Sequence, residues 1–147
     1  MQDTSFPVLL SVSGIMKHEN PSDPVHLVTT GFLTVMPSGY QLTYREILPE
    51  TNESQDVSLL LDNKRVTMTR EGDFSTSLIF EKGRFFESIY HTPFGDMDMS
   101  VYASKVNSQL SEDQGEVQLQ YHIDLQGHYA TEHSLNIKYR KQQAMHH

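Results

Sequence analysis

The chain has 147 residues, 37% hydrophobic and 10% aromatic, enough for one domain with a sizeable core and short of what two domains need. Nineteen acidic against eleven basic residues give a formal net charge of −8, which repels nucleic-acid backbones and anionic membrane surfaces unless a basic patch exists locally. The absence of cysteine excludes disulfides, thiol nucleophiles and thiolate metal sites.

The basic runs Asn63-Lys64-Arg65 and Lys138-Tyr139-Arg140-Lys141 are short and read as a turn and a chain end, so neither nucleic acid nor membrane is an expected partner. The first residues are polar and acidic where a signal peptide would be basic and then apolar, and no apolar run approaches a membrane span. The expected location is therefore cytoplasmic. His146 and His147 carry no functional weight.

Apolar residues recur at every second position, and turn residues interrupt at short intervals, the pattern of a meandering antiparallel sheet. A first strand is expected from about Phe6 to Met16, and "HENPSDP" separates it from a second, Val25 to Met36. Pro37-Ser38-Gly39 turns into "YQLTYREIL", whose Tyr40, Leu42, Tyr44, Glu46 and Leu48 share one face. "PETNESQ" leads to "VSLLL", Asn63-Lys64 turns into "RVTMTR", and Glu71-Gly72-Asp73 turns into "STSLIF". Lys82-Gly83 opens a strand ending at His91, for which the flanking hairpins permit two registers, so the facing of Phe85 to His91, and with it Tyr90, stays open. Thr92-Pro93-Phe94-Gly95 is a turn whose rim position suits Phe94 to contact a ligand or partner. "NSQLSEDQG" links "GDMDMSVYASKV" to "EVQLQYHIDL", "SKVNSQL" has the spacing for a turn of helix, and "QGHYAT" leads to "EHSLNIKY". The core spans about residues 6–140, with 141–147 a loose tail.

About ten strands joined by short hairpins, with nothing to cover an open sheet, favour an up-and-down barrel, because closure removes exposed edges. A two-sheet sandwich is the alternative. "TTGFLTVMPSGYQLTYRE", "TMTREGDFSTSLIFEKG", "YHTPFGDMDMSVYASKV" and "GEVQLQYHIDL", in that order and spacing, resemble the YwiB-like family of small bacterial proteins of unknown function. The most specific marks are Tyr44-x-Glu46, Arg70-x-Gly72 and Tyr90-x-Thr92-Pro93-Phe94-Gly95. The resemblance covers about Phe6 to Tyr139 and implies a calycin-like barrel, the architecture of lipocalins and fatty-acid-binding proteins. It brings no established activity, ligand or cofactor, and shared architecture is weak evidence of shared function.

Glu46 is anomalous on an apolar face, since a buried carboxylate is costly unless paired. If paired residue numbers across "PETNESQ" sum to about 103, Glu46 faces Val57 and Tyr44 faces Leu59; the Asn63-Lys64 hairpin then sets Val57 opposite Arg70. Glu46 and Arg70 would flank Val57 about two strand spacings (roughly 9.6 Å) apart, a gap two long side chains close. Two readings follow. The pair is an internal ion pair that fixes register, or it is the polar end of a cavity lined by Tyr44, Leu59, Met68, Tyr121, Ile123 and Leu135, with Arg70 taking an anionic head group, Glu46 holding Arg70, and His133 joining them.

Asp96, Asp98 and Ser100 alternate with Met97, Met99 and Val101, so the acidic residues face outward by period alone. The register that sets Met99 against Ile123 also places Asp98 opposite Asp124 and Ser100 opposite His122, which makes Asp98, His122 and Asp124 weak candidates for a divalent cation. No recognised metal spacing, GxSxG elbow or nucleotide fingerprint occurs, and Ser100 with His122 and Asp124 would form an outward, open cluster without an oxyanion hole. No catalytic residue and no cofactor is assigned. The expectation is a binding protein for a small amphipathic or anionic ligand. Its rival is a filled barrel that docks a protein partner, or another copy of itself, by its rim or a strand edge.

Overall fold

The computed structural model describes residues 4–17, 25–47, 54–62, 64–127 and 129–142. They form ten strands: β1 (Thr4–Lys17), β2 (Val25–Met36), β3 (Gly39–Ile47), β4 (Ser54–Leu61), β5 (Arg65–Glu71), β6 (Thr76–Glu81), β7 (Phe85–Thr92), β8 (Gly95–Leu110), β9 (Gln114–Leu125) and β10 (Tyr129–Lys141). All strand ladders are antiparallel and build a single sheet in the order β6-β5-β4-β3-β2-β1-β10-β9-β8-β7, so chain neighbours pair throughout except β6 and β7, the two edges, and β1 joins β10. The sheet curls into a nearly closed barrel, as expected, and not into a sandwich.

Closure falls between β6 and β7 and is sparse. Ser75 and His91 exchange two backbone hydrogen bonds of 2.9 Å at one end, and the Ser88 hydroxyl donates to the Ser77 carbonyl at 2.7 Å. At the other end Gly83 N–H donates to Ala103 O at 2.8 Å, and Glu81 accepts from Arg65 and Arg84 at 3.1 Å each, with both guanidiniums over the Phe86 ring.

Local chemistry accounts for the hairpins. The Asp62 carboxylate accepts from Lys64 N–H and Arg65 N–H at 2.8 and 2.7 Å, an Asx turn into β5. Before β8 the Thr92 hydroxyl accepts from Phe94 N–H and donates to Gly95 O at 2.7 Å, while Gly95 takes φ of +129°. Thr92 to Gly95 is thus the expected turn, and it leaves Phe94 92% exposed.

The inner face is apolar and packed. Val8, Leu10, Leu33, Leu42, Leu59, Val66, Phe80, Val117 and Ile137 are fully buried, with Met68 and Leu119 all but so. Polar residues such as Thr43, Arg45, Ser58 and Glu71 alternate with them on the outer face, the reverse of a lipid-facing barrel. No helix among the described residues is long and apolar enough to cross a membrane.

Four details differ from the sequence reading. "SKVNSQL" is strand: β8 runs to Leu110, and a bulge between Ala103 and Lys105 shifts the alternation by one residue, so Val106 and Leu110 pack inward out of phase with Val101. "NSQLSEDQG" is correspondingly mostly strand, leaving Ser111–Asp113 as the connection. The β3–β4 register is Tyr44 opposite Val57 and Glu46 opposite Gln55, two residues from the expected one. Lys141 belongs to β10, its N–H donating to Asp113 O and its ammonium lying 4.0 Å from the Phe6 ring centroid, so the tail starts later than expected; residues 143–147, with the terminal histidines, lie outside the described residues. The open question of β7 is resolved with Phe86, Ser88 and Tyr90 inward and Phe85 and Ile89 outward.

Candidate functional site

Topology gathers the β1–β2, β3–β4, β5–β6, β7–β8 and β9–β10 connections at one end of the barrel, and there the apolar interior gives way to a polar layer. The ladder β3–β4–β5–β6 sets Tyr44, Val57, Arg70 and Thr76 side by side, and Glu46 and Gln55 form the next inward pair toward the mouth. Arg70 Nη2 meets Glu46 Oε2 at 3.5 Å, so the two charges inferred from alternation do form an ion pair. It is loose, longer than the roughly 2.7–2.9 Å of a strong charge-assisted bond. The side chains keep 29% (Arg70) and 23% (Glu46) of their exposure, so solvent reaches the layer from the mouth.

The hydrogen-bond count at this layer does not close. Arg70 Nε is buried with no partner, and so is Thr76 Oγ1, whose residue is only 8% exposed. These two unsatisfied donors sit on residues directly opposed across the β5–β6 ladder. Gln55, equally buried, is satisfied at least once, donating to Phe74 O at 2.8 Å. Thr76 and Gln55 were not singled out from the sequence. The signal for Thr76 was present in the β5–β6 hairpin, where continuing the pairing past Glu71-Gly72-Asp73 brings Thr76 opposite Arg70.

Tyr44 and Tyr121 complete the layer. Burial pushes the Tyr44 phenol up to about 12, with the Arg70 charge pulling against it and Glu46 and Tyr121 adding to it. Burial likewise raises Tyr121, again opposed by Arg70. Both hydroxyls are therefore neutral at physiological pH and available as donors. The Tyr121 ring stacks on His133 at 5.0 Å and packs against Phe80 at 4.6 Å, and His133 Nε2 shares a 2.8 Å hydrogen bond with the Thr131 hydroxyl. Tyr44, Glu46, Arg70, Tyr121 and His133 thus all lie on the inner face at one end. Of the expected lining, Leu59 and Met68 are part of the packed core, while Ile123 and Leu135 pack partly buried against it. Clefts of about 690 and 550 Å³ open outward, one along β10 near Lys138 and Arg140 and one over Phe32, Thr43 and Arg45 that also touches Tyr44 and Val57.

The acidic cluster does not assemble. The β8–β9 register sets Ser100 opposite Asp124 and Tyr102 opposite His122, and Asp98 accepts from Gln126 N–H at its carbonyl and donates its own N–H to Gln126 Oε1, so Asp98 faces neither Asp124 nor His122. Among the described residues no group of three or more His, Cys, Asp or Glu is placed to hold a metal ion.

No curated protein matches the chain. Among solved structures it is similar to the crystal structure of the YwiB protein from Bacillus subtilis, with a TM-score of 0.84 and 21% identity over 95% of this chain and 94% of that one, a likeness of fold. Residues 10–137 match the family model described as a domain of unknown function, DUF1934, and the chain, a YwiB-like barrel, belongs to that family.

Proposed function

We propose that the protein binds a small amphipathic or anionic ligand at the polar end of its barrel, with Arg70 and Thr76 as the contacting donors. The observation that carries this is the pair of buried, unsatisfied polar atoms, Arg70 Nε and Thr76 Oγ1, on adjacent strands of an otherwise apolar interior. Native proteins leave few such groups, and each costs roughly 1–3 kcal/mol unless something occupies it. Tyr44 and Tyr121 add neutral donors, and Glu46 supplies the counter-charge that keeps an unliganded Arg70 tolerable. The barrel architecture suits an internal ligand, but the packing of Leu59, Met68 and Phe80 restricts it to the mouth layer.

The test is native mass spectrometry of protein purified from its own cells, followed by solvent extraction. A stoichiometric small molecule that is lost in Arg70→Ala supports the reading; an empty wild-type protein under gentle conditions counts against it. The packed core and the sparse seam favour a second reading, a scaffold that docks a protein through the Thr92–Gly95 rim and its exposed Phe94. A co-purifying protein lost on Phe94→Ser would support that instead.

A further inference from the structure

Deepening the reading just proposed, and resting on it, we infer that the head group is a single carboxylate on a short carbon chain, and that it binds by replacing Glu46 on Arg70. Glu46 is in this account the internal stand-in for the ligand, and not the residue that positions Arg70.

Three features carry the inference. The first is the contact itself: Glu46 meets Nη2 at 3.5 Å and leaves Nε without a partner. A carboxylate free to choose its position would take both Nε and Nη2, the fork that a guanidinium offers. Thr76, directly opposite Arg70, adds a second unsatisfied donor that Glu46, on β3, leaves unused. Three donors around two oxygens describe a carboxylate better held than Glu46 is.

The second feature is charge. Of the residues assigned to this layer besides His133, Arg70 is the fixed cation and Glu46 the anion, while Tyr44 and Tyr121 are neutral donors. Exchanging one carboxylate for another conserves that balance, because Glu46, already 23% exposed, has a path to solvent at the mouth. A phosphate or sulfate head with more charge, or more oxygens than donors, would place surplus charge beside Glu46 in a poorly solvated site.

The third is depth. The residues two positions further along the strands, Leu59, Met68 and Leu78, are buried together and form the next layer inward. A long acyl chain would have to displace that layer, whereas a chain of a few carbons need reach no further than Tyr44 and Tyr121.

The test uses the full chain and defined probes: butyrate and benzoate as short monocarboxylates, butyramide as the neutral analogue, inorganic phosphate, and palmitate. Binding is read by calorimetry and by chemical-shift changes in wild type, Glu46→Gln, Arg70→Gln and Thr76→Val, with Arg70→Lys in place of Arg70→Gln should the latter fail to fold. The expected result is saturable binding of butyrate or benzoate, at least fivefold tighter in Glu46→Gln, abolished in the Arg70 variant and weakened severalfold in Thr76→Val, with butyramide silent. Weaker binding in Glu46→Gln would make Glu46 a positioning residue and overturn the exchange. Preference for phosphate or for palmitate would overturn the head-group or the chain-length assignment while leaving an anion-binding barrel. If no probe binds and the purified protein also carries no extractable molecule, the inference and the reading beneath it fall together.

Discussion

Thr76→Val removes one hydroxyl and keeps the branched shape of the side chain, so it isolates the unsatisfied Oγ1. That atom is buried without a partner on a residue only 8% exposed. A buried polar group without a hydrogen bond costs roughly 1–3 kcal/mol, and a methyl in its place adds apolar burial, so Thr76→Val should stabilise the ligand-free protein by about 1–2 kcal/mol. For a chain of this size about 1 kcal/mol moves Tm by roughly 2–4 °C, so a rise of about 3–6 °C is expected. Urea titration read by circular dichroism, with calorimetry on the same samples, measures both quantities; the slope with denaturant should not change, since the exposed surface is the same. Most substitutions destabilise, so a gain in a buried position is a discriminating result. A loss of more than about 0.5 kcal/mol would show that the hydroxyl is satisfied in solution, and would remove the observation on which the binding reading rests.

Three further outcomes are expected. Arg70→Ala should destabilise by about 1–2 kcal/mol more than Arg70→Ala combined with Glu46→Gln, a value between those of exposed and buried pairs, because the single change strands a carboxylate beside Tyr44; equal losses would mean that the two charges do not interact in solution. Tyr44, raised to about 12 from 10.0, contributes stability that is fully present below pH 10 and lost as pH rises through 12, so Tyr44→Phe should flatten the alkaline fall by up to about 2–3 kcal/mol, read by urea midpoints across that range; parallel curves would place its phenol in water. Gly31→Ala should cost about 2 kcal/mol or more, since its Cβ would clash with the Thr43 carbonyl oxygen and meet Leu10 Cδ1 at 2.7 Å; an unchanged Tm would refute the close approach of β2 and β3.

Facing was more legible in the sequence than partnership, and the reason is the strand period. A register error of one residue turns every side chain to the other face, whereas an error of two changes only which residues meet. Both register errors were of the second kind: Tyr44 opposes Val57 and not Leu59, and Met99 opposes Leu125 and not Ile123. Glu46, Arg70, Tyr44 and Tyr121 were therefore assigned correctly to the interior, while the supposed opposition of Asp98 and Asp124 vanished. Where a tight hairpin fixed the register, as at Asp62 to Arg65, the pairing of Val57 with Arg70 came out right. The bulge before Lys105 erased the alternation that would have extended β8, and a helical turn was read into the broken period.

The same period explains why the site lies where it does. An inward position on a strand is ordinarily filled by a side chain that needs nothing, and at Val66, Met68, Leu78 and Phe80 the barrel follows that rule. Among the described residues the charged departure from the rule is at one layer, where a guanidinium, a carboxylate, a threonine hydroxyl and two phenols share the mouth. An ion pair kept only to fix register would have no need of the two phenols or of a threonine whose hydroxyl meets nothing, since valine at that position would pack as well and cost less. The closing seam of the barrel ends at this layer too, with Ser75 and His91 bridging immediately before Thr76. A layer that combines unmet donors with the least-paired strand edge is where a ligand would gain most by binding and where the barrel would yield at least cost, which is the physical reason to seek function at the mouth and stability beneath it.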